Sequence, residues 1–325
     1  MDVPVIDLAA FVEPPDRGVQ RSDEVERIGD EVDRACREVG FFSVIGHGVD
    51  GSVVDAAYRE ALAFFDLPLA DRLTVVKPEP GYPYGYDPFS SEALNRSIGG
   101  DAPPDLKETF NVGPIEAPEL DGVVDADHRA IYSPNLWPSA QPGLRPAIES
   151  YYRSMSDLAA TLMRVFAVSL DLEDGWFDPL VNHHPSALRL AHYPALPTAP
   201  PSGSQRAGAH TDYGTLTILR LDDEPGLQVQ SSTGGWVDVQ APDGALVVNL
   251  GDLMQRWTND RWRSTMHRVS VPADGGAKRR LTMPFFHNAN WDAVIECILD
   301  DGETARHEPV TAGGHLMAKF RSTVA

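Results

Sequence analysis

The 325-residue sequence contains no apolar run approaching the about 18 residues that a membrane span needs. Its start, MDVPVIDLAAFV, lacks a basic segment followed by a long apolar one, so no secretory leader is expected. Cysteine is scarce. Cys36 and Cys297 are the two present, neither in a CxxC spacing, which excludes a disulfide framework and a thiolate-built metal site; a reducing cytoplasm is the expected setting. Positive charge is also short, with 27 Lys and Arg against 48 Asp and Glu and a net charge of −21. Such a surface repels phosphate backbones and anionic lipid, so nucleic acid and membranes are not expected as partners. An anionic small molecule would need a local positive group. Repeats and low-complexity tracts are absent. What remains is an ordinary globular composition, 42% apolar and 23% charged, long enough for one large domain or two closely packed ones.

Val3-Pro4-Val5-Ile6-Asp7-Leu8 reads as a short strand. Residues 23–39 read as a helix, because Val25, Ile28, Val32, Ala35 and Val39 recur at three and four residues and Gly40 stands where a helix ends. A strand is expected at 41–45 and a second helix at 51–65, stopped near Pro68. From 78 to 142 Pro, Gly and Asp are frequent and periodicity is scarce: a long connection, with short strands near 85–86 and 109–112. Tyr82, Tyr84 and Tyr86 alternate there. Their plain reading is structural; the sharper one makes Tyr82 and Tyr84 walls of a substrate pocket. Residues 146–170 form a long helix whose buried face is Ile148, Tyr152, Met155, Leu158, Leu162, Val165 and Phe166. After Pro185 the pattern turns to β. Strands are expected at 188–192, 215–220, 227–230, 236–239, 245–250, 265–269, 281–286 and 315–320. Many short strands between turn signals such as Asp222-Asp223-Glu224-Pro225-Gly226 suggest a jelly roll or barrel. The organisation expected is an N-terminal region 1–120, a helical connection 121–182 and a β-rich region 183–325, in one compact unit.

His210-Thr211-Asp212 is the first chemical signal. Side chains at i and i+2 project from the same side of an extended segment. His267 lies on another expected strand. Two imidazoles and a carboxylate on one face of an ion leave three octahedral positions open, as Fe(II) oxygenases require. The spacing alone is weak in a chain with ten histidines, where a satisfied core or surface histidine is the commoner meaning. Zinc takes the same ligand types, but no general base stands beside these three. His183 and His184 sit at a helix-to-strand junction. His47, His128, His287, His307 and His315 have no partner at a useful spacing and read as structural or solvated. Arg280 and Thr282, again i and i+2, would aim a guanidinium fork and a hydroxyl at one carboxylate, supplying the positive group the chain otherwise lacks. The plain alternative pairs Arg280 with one of the many acids. Tyr193 could donate its hydroxyl to the same carboxylate or be core.

These residues stand in a longer pattern. Gly40-Phe41-Phe42 with Gly46-His47-Gly48-Val49 comes first, then Asp105-Leu106-Lys107-Glu108-Thr109-Phe110. Ala209-His210-Thr211-Asp212-Tyr213-Gly214-Thr215 follows, then Gly226-Leu227-Gln228-Val229, Asn249-Leu250-Gly251-Asp252, Ser264-Thr265-Met266-His267-Arg268-Val269 and Arg280-Leu281-Thr282-Met283-Pro284-Phe285-Phe286. Nearly end to end, the chain resembles the isopenicillin N synthase-like branch of the Fe(II)/2-oxoglutarate-dependent oxygenases. The resemblance implies a mainly β fold with α, a double-stranded β-helix (jelly roll) with N-terminal and flanking helices outside it. It implies iron on His210, Asp212 and His267, and the far carboxylate of 2-oxoglutarate on Arg280 and Thr282 with Tyr193 assisting. Thr282 stands where the family usually has Ser, keeping the hydroxyl and adding a methyl. Phe286 matches a pocket position, and Tyr213 joins Tyr82 and Tyr84 as a further candidate; His47 and Asn249 read as structural. The implied reaction consumes O₂ and 2-oxoglutarate, releases succinate and CO₂, and hydroxylates, desaturates or cyclises at an unactivated C–H without a protein nucleophile. Two rivals are an O₂-only oxidase of the same fold, as isopenicillin N synthase is, and a non-catalytic small-molecule-binding jelly roll. The stretches expected to wall the pocket carry few charges, which favours a partly apolar small molecule; a monomer is the default.

Overall fold

The structure is a computed structural model that describes residues 3–12, 23–94, 103–116, 118, 125–196, 198, 200, 201, 203–272 and 276–324. The expected border at 120/121 lies outside the described residues.

The chain opens with β1 (Val5–Asp7), α1 (Ala9–Val12) and α2 (Asp23–Glu38). Val25, Ile28, Val32 and Ala35 of α2 are all buried, as their spacing requires. Gly40 ends this stretch with φ +71°, and its N–H reaches Ala35 O at 2.9 Å. A Cβ at Gly40 would lie 2.2 Å from Arg263 O, so the turn needs glycine on both counts. Next come β2 (Phe41–Ile45), α3 (Gly51–Phe65), α4 (Leu69–Arg72), β3 (Gly85–Asp87), β4 (Glu108–Val112) and α5 (Ala126–Ile131). The carboxylate of Asp50 caps α3 by accepting from Ser52 N at 2.8 Å. The long α6 (Leu144–Ser169) is the helical spine; Ile148, Tyr152, Met155, Leu158, Leu162, Val165 and Phe166 are buried, and α2 and α3 pack along it. After α7 (Asp178–Val181) the chain becomes β-rich: β5 (Ala187–Tyr193), β6 (Ala207–His210), β7 (Leu216–Arg220), β8 (Leu227–Gln230), β9 (Trp236–Asp238) and β10 (Leu246–Leu250). Then follow α8 (Asp252–Trp257), β11 (His267–Val269), β12 (Arg280–Thr282), β13 (Phe285–His287), β14 (Val294–Ile295), β15 (Val310–Thr311) and α9 (Ala312–Val324).

Two sheets dominate. The larger runs β1-β2-β10-β7-β13-β5-β4-β3, with β12 also on β5; the smaller runs β6-β11-β8-β9. One apolar cluster draws Phe41, Ala191, Tyr193, Leu219 and Val247 from the first and Ala207, Leu227, Val229 and Val269 from the second, so the sheets pack face to face. Alternation puts Phe42, Leu190, Ile218, Val248 and Phe285 on the opposite face of the larger sheet, in a bigger core shared with α2, α3 and α6. Three expectations change. Among the described residues helix outweighs strand, so the fold is mixed α/β rather than mainly β. Residues 315–320 lie in helix α9, not a strand; Leu316 is buried, Met317 is packed beside it, and Phe320 meets Tyr213 from one helical turn on. The single strand expected at 281–286 is two, β12 and β13, parted at Met283-Pro284, where Pro284 has no N–H to give a ladder. Among the described residues no helix is long and apolar enough to cross a membrane.

Behind the larger sheet His184 and His287 lie ring to ring, centroids 4.9 Å apart. Burial pushes the His184 imidazole down to about 4, and burial and His184 lower His287 as well. Both are therefore neutral in the fold, and the unfolded chain binds the extra protons. Stability should be complete above about pH 6.5 and fall as pH drops toward 4, by about 3 kcal/mol at most for His184. Chemical denaturation across that range checks it, and His184→Leu should flatten the slope. An unchanged slope would show that His184 is not among the groups that set the acid limit.

Candidate active site

His210 ends β6 and His267 begins β11, and the two strands pair with these residues opposite each other. Asp212 lies two residues beyond β6. One ligand atom from each residue falls within 4.8 Å of the other two. His210 Nε2 is 3.8 Å and His267 Nε2 3.7 Å from Asp212 Oδ1. The other nitrogens explain this aim. His210 Nδ1 donates to Gly208 O at 2.7 Å and His267 Nδ1 to Thr265 O at 3.1 Å, which leaves Nε2 of each as the lone-pair nitrogen. Burial, then the neighbouring His267, pushes His210 down to about 3, so its ring is neutral. Burial opposes the charge of Asp212, but the imidazoles, Asn249 and Thr217 outweigh it and hold the carboxyl below its usual range.

Oδ2 of Asp212 is already engaged. It accepts from Thr217 Oγ1 at 2.5 Å and Asn249 Nδ2 at 2.7 Å, which turns Oδ1 toward the histidines. Asn249 and Thr217 face each other across β10 and β7. From sequence Asn249 reads as structural and Thr217 passes unnoticed; the signal for Thr217 was a hydroxyl on the strand that follows Asp212. Thr217→Val with Asn249→Ala should lower metal affinity about 10- to 100-fold with the triad intact. Anaerobic Fe(II) titration reads this, and wild-type affinity in the double variant would refute it.

The loop that carries Asp212 is fastened at its backbone. Asp252 N donates to Asp212 O at 2.8 Å, Leu253 N to Tyr213 O at 3.2 Å and Gly251 N to Thr215 O at 3.0 Å. Gly251 is pressed against Gly214: a Cβ on Gly251 would sit 2.2 Å from Gly214 O.

Arg280 is 2% exposed. Its Nε donates to Glu224 O at 3.2 Å, while its buried Nη1 has no partner. A buried, underpaired guanidinium is costly without an anion, so it fits a ligand carboxylate. Thr282 shares its face of β12 and is buried, its hydroxyl 3.4 Å from Arg220 O. Tyr193 is the register partner of Arg280 and meets it through the ring, with the guanidinium carbon 5.3 Å from the centroid. Phe286 is half-buried opposite Thr217, on the Asp212 side of the sheet. Tyr213 is half-buried, edge-on to Phe320 of α9 at 5.6 Å. Tyr84 corrects an expectation: at 1% exposure, its hydroxyl bonded to Ile131 O, it is core and offers a ligand no surface. Tyr82 bonds Pro134 O beside it. Asp87, Glu92, Lys107, Asn111 and Arg189 form one ion-pair and hydrogen-bond network. Arg189 and Asn111, 78 residues apart, become neighbours only through β4–β5 pairing, so no spacing announced them.

Two imidazoles on neighbouring strands and a carboxylate on the loop that follows one of them, with a buried arginine on the facing sheet, fit a non-haem Fe(II) oxygenase site. Comparison with known proteins agrees. Residues 3–140 match the family described as non-haem dioxygenase in morphine synthesis N-terminal, and residues 180–289 match the 2OG-Fe(II) oxygenase superfamily. The chain is 33% identical over 311 residues to the 2-oxoglutarate-Fe(II) type oxidoreductase hxnY of Emericella nidulans, covering 90% of this chain and 84% of that one. It is 32% identical over 303 residues to the proline hydroxylase buaE of Petromyces alliaceus, covering 89% and 91%. A full-length Neurospora crassa protein, solved in complex with alpha-KG and thymine, superposes with a TM-score of 0.82 at 27% identity, covering 98% of this chain and 97% of that one. The chain belongs to the 2OG-Fe(II) oxygenase superfamily, in its isopenicillin N synthase-like branch. It is a 2-oxoglutarate-dependent dioxygenase of small molecules, and Fe(II) and 2-oxoglutarate are its cofactor and co-substrate.

Proposed function

We propose that His210, Asp212 and His267 hold the Fe(II), that Arg280 and Thr282 hold the far carboxylate of 2-oxoglutarate, and that the enzyme hydroxylates an unactivated C–H of a small molecule. The observation that carries this is the paired aim: both Nε2 atoms and Asp212 Oδ1 converge, and a buried Arg280 Nη1 lacks a partner. Bound Fe(II) would supply O₂ activation coupled to decarboxylation of the keto acid. In balance, R–H, O₂ and 2-oxoglutarate give R–OH, succinate and CO₂. The protein's part is orientation. Thr217 and Asn249 fix which Asp212 oxygen faces the metal. Arg280 sets the register of the keto acid along β12, with the face of Tyr193 stabilising the guanidinium. Phe286, on the sheet face that carries Thr217, and Tyr213, next to Asp212, are read as pocket walls that exclude water.

The two packed sheets are read as the double-stranded β-helix, with the region before 183 wrapped outside it. All these residues come from one chain, so a monomer suffices, and the two unpaired cysteines fit a cytoplasmic setting. Anaerobic visible absorption tests the assignment: adding 2-oxoglutarate to the Fe(II) protein should raise a charge-transfer band. Tight iron without a band would return the O₂-only oxidase to first place.

A further inference from the structure

Alternation on the strands ranks the residues between the two sheets. Asn249, Thr217, Phe286 and Ala187 stand opposite one another across β10, β7, β13 and β5. Two steps along β5 from Ala187 is Arg189, paired with Asn111 on β4; two further is Ala191, between Thr282 and Thr109; two further is Tyr193, opposite Arg280. Arg189 thus occupies the rank between the Asp212 side and the Arg280 anchor. It lies on an inner strand facing the second sheet, and its side chain is still 23% exposed, with Glu92 at 26%. A polar side chain at this rank, on the face that also carries Thr217 and Phe286, is in position to meet a ligand held between the two sheets.

The wall has a definite chemistry. Arg189 Nε donates to Asn111 Oδ1 at 2.7 Å, and its two amino nitrogens donate to Glu92 at 3.1 and 3.3 Å. Three of five N–H groups are engaged, which leaves two for a ligand. Lys107 reaches Glu92 at 3.4 Å and Asp105 at 2.6 Å; Asp87 accepts from Asn111 at 2.8 Å and pairs with Lys77 at 2.8 Å. Arg189, Lys107 and Lys77 therefore balance Glu92, Asp105 and Asp87, with no charge left over. An apolar substrate would strip water from this pair and return nothing. A charged head would find no counter-charge. A neutral group with an acceptor beside a donor satisfies both the guanidinium and the carboxylate.

We propose that the Arg189–Glu92 pair determines specificity for neutral substrates with an amide-type edge: lactams, imides or primary carboxamides. This rests on the reading of the iron and 2-oxoglutarate sites above. The test reads perturbation of the Fe(II)·2-oxoglutarate band, and succinate release, with thymine, 2-piperidone and benzamide. The controls are 1,3-dimethylthymine, N-methyl-2-piperidone, N,N-dimethylbenzamide, benzoate and toluene. At least one donor-bearing probe should bind, about 100-fold or more ahead of its methylated partner and the carboxylate. Arg189→Met should erase that preference while the affinity for 2-oxoglutarate stays within about twofold. Because that change strands Glu92, Arg189→Met with Glu92→Gln, which removes both charges, is run beside it with a melting curve. Preference for benzoate or toluene, no binding by any amide probe, or an undiminished preference in a folded double variant would overturn the proposal. Absence of the band in the wild type before any probe is added would instead sink the co-substrate reading, and this proposal with it.

Discussion

Asp212→Ala should lower Fe(II) affinity about a thousandfold and bring succinate release to background. The size follows from sharing a metal-binding free energy on the order of 10–16 kcal/mol, as in zinc peptides, among three or four ligands. Folding should suffer less than metal binding but measurably, because the carboxyl is held below its usual range in the fold and its loss leaves the Thr217 and Asn249 donors without their acceptor. Iron per chain by anaerobic titration, melting temperature and succinate release separate the two effects. Iron retained at wild-type stoichiometry and affinity would remove Asp212 from the ligand set, whatever happened to turnover.

Arg280→Ala should do the reverse, keeping iron and losing the keto acid. Truncating one side of a buried charge pair costs about 2–5 kcal/mol, so the apparent affinity for 2-oxoglutarate should fall by about 10² to 10³. In the unliganded protein the same change is mild, since the guanidinium is buried with Nη1 unpaired and contributes little there. Arg280→Lys should fall between, returning the charge without the planar fork. The readout is the 2-oxoglutarate dependence of the charge-transfer band at saturating iron. An unshifted midpoint in Arg280→Ala would mean that another cation holds the carboxylate.

The sequence made some of this legible for physical reasons. Helices α2 and α6 bury a full stripe each, and an apolar period sustained over four turns or more has one reading. The triad was legible because His210 and Asp212 stand at i and i+2 and the family pattern brackets His267. Strand β6 was missed: Ala207-Gly208-Ala209 has too little bulk for a period-two signal, though its pairing with β11 sets the two histidines opposite each other. Residues 315–320 misled because six residues with Leu316, Met317 and Phe320 fit either period, and Gly313-Gly314 discouraged a helix. The Arg189 network was the least legible in the sequence. Glu92, Asn111 and Arg189 come from three separate stretches, and only the β4–β5 ladder and the ion pair across it make them a unit. The same partition holds for Asn249 and Thr217: each is visible alone, and their joint task appears only with the register.

The contact between Gly214 and Gly251 bears on how such an enzyme can diversify. With a would-be Cβ 2.2 Å from a carbonyl oxygen, neither backbone can yield without moving the carbonyl of Asp212, which Asp252 N holds. Amide protons there should exchange slowly whether or not metal is bound. Mutational tolerance is therefore divided within one cavity. The glycine pair is frozen, while Asn111 on β4 and Arg189 on β5, with Glu92 paired to Arg189, form the specificity wall proposed above and can be rewritten. A lineage that changes diet would keep its metal grip and alter only that wall.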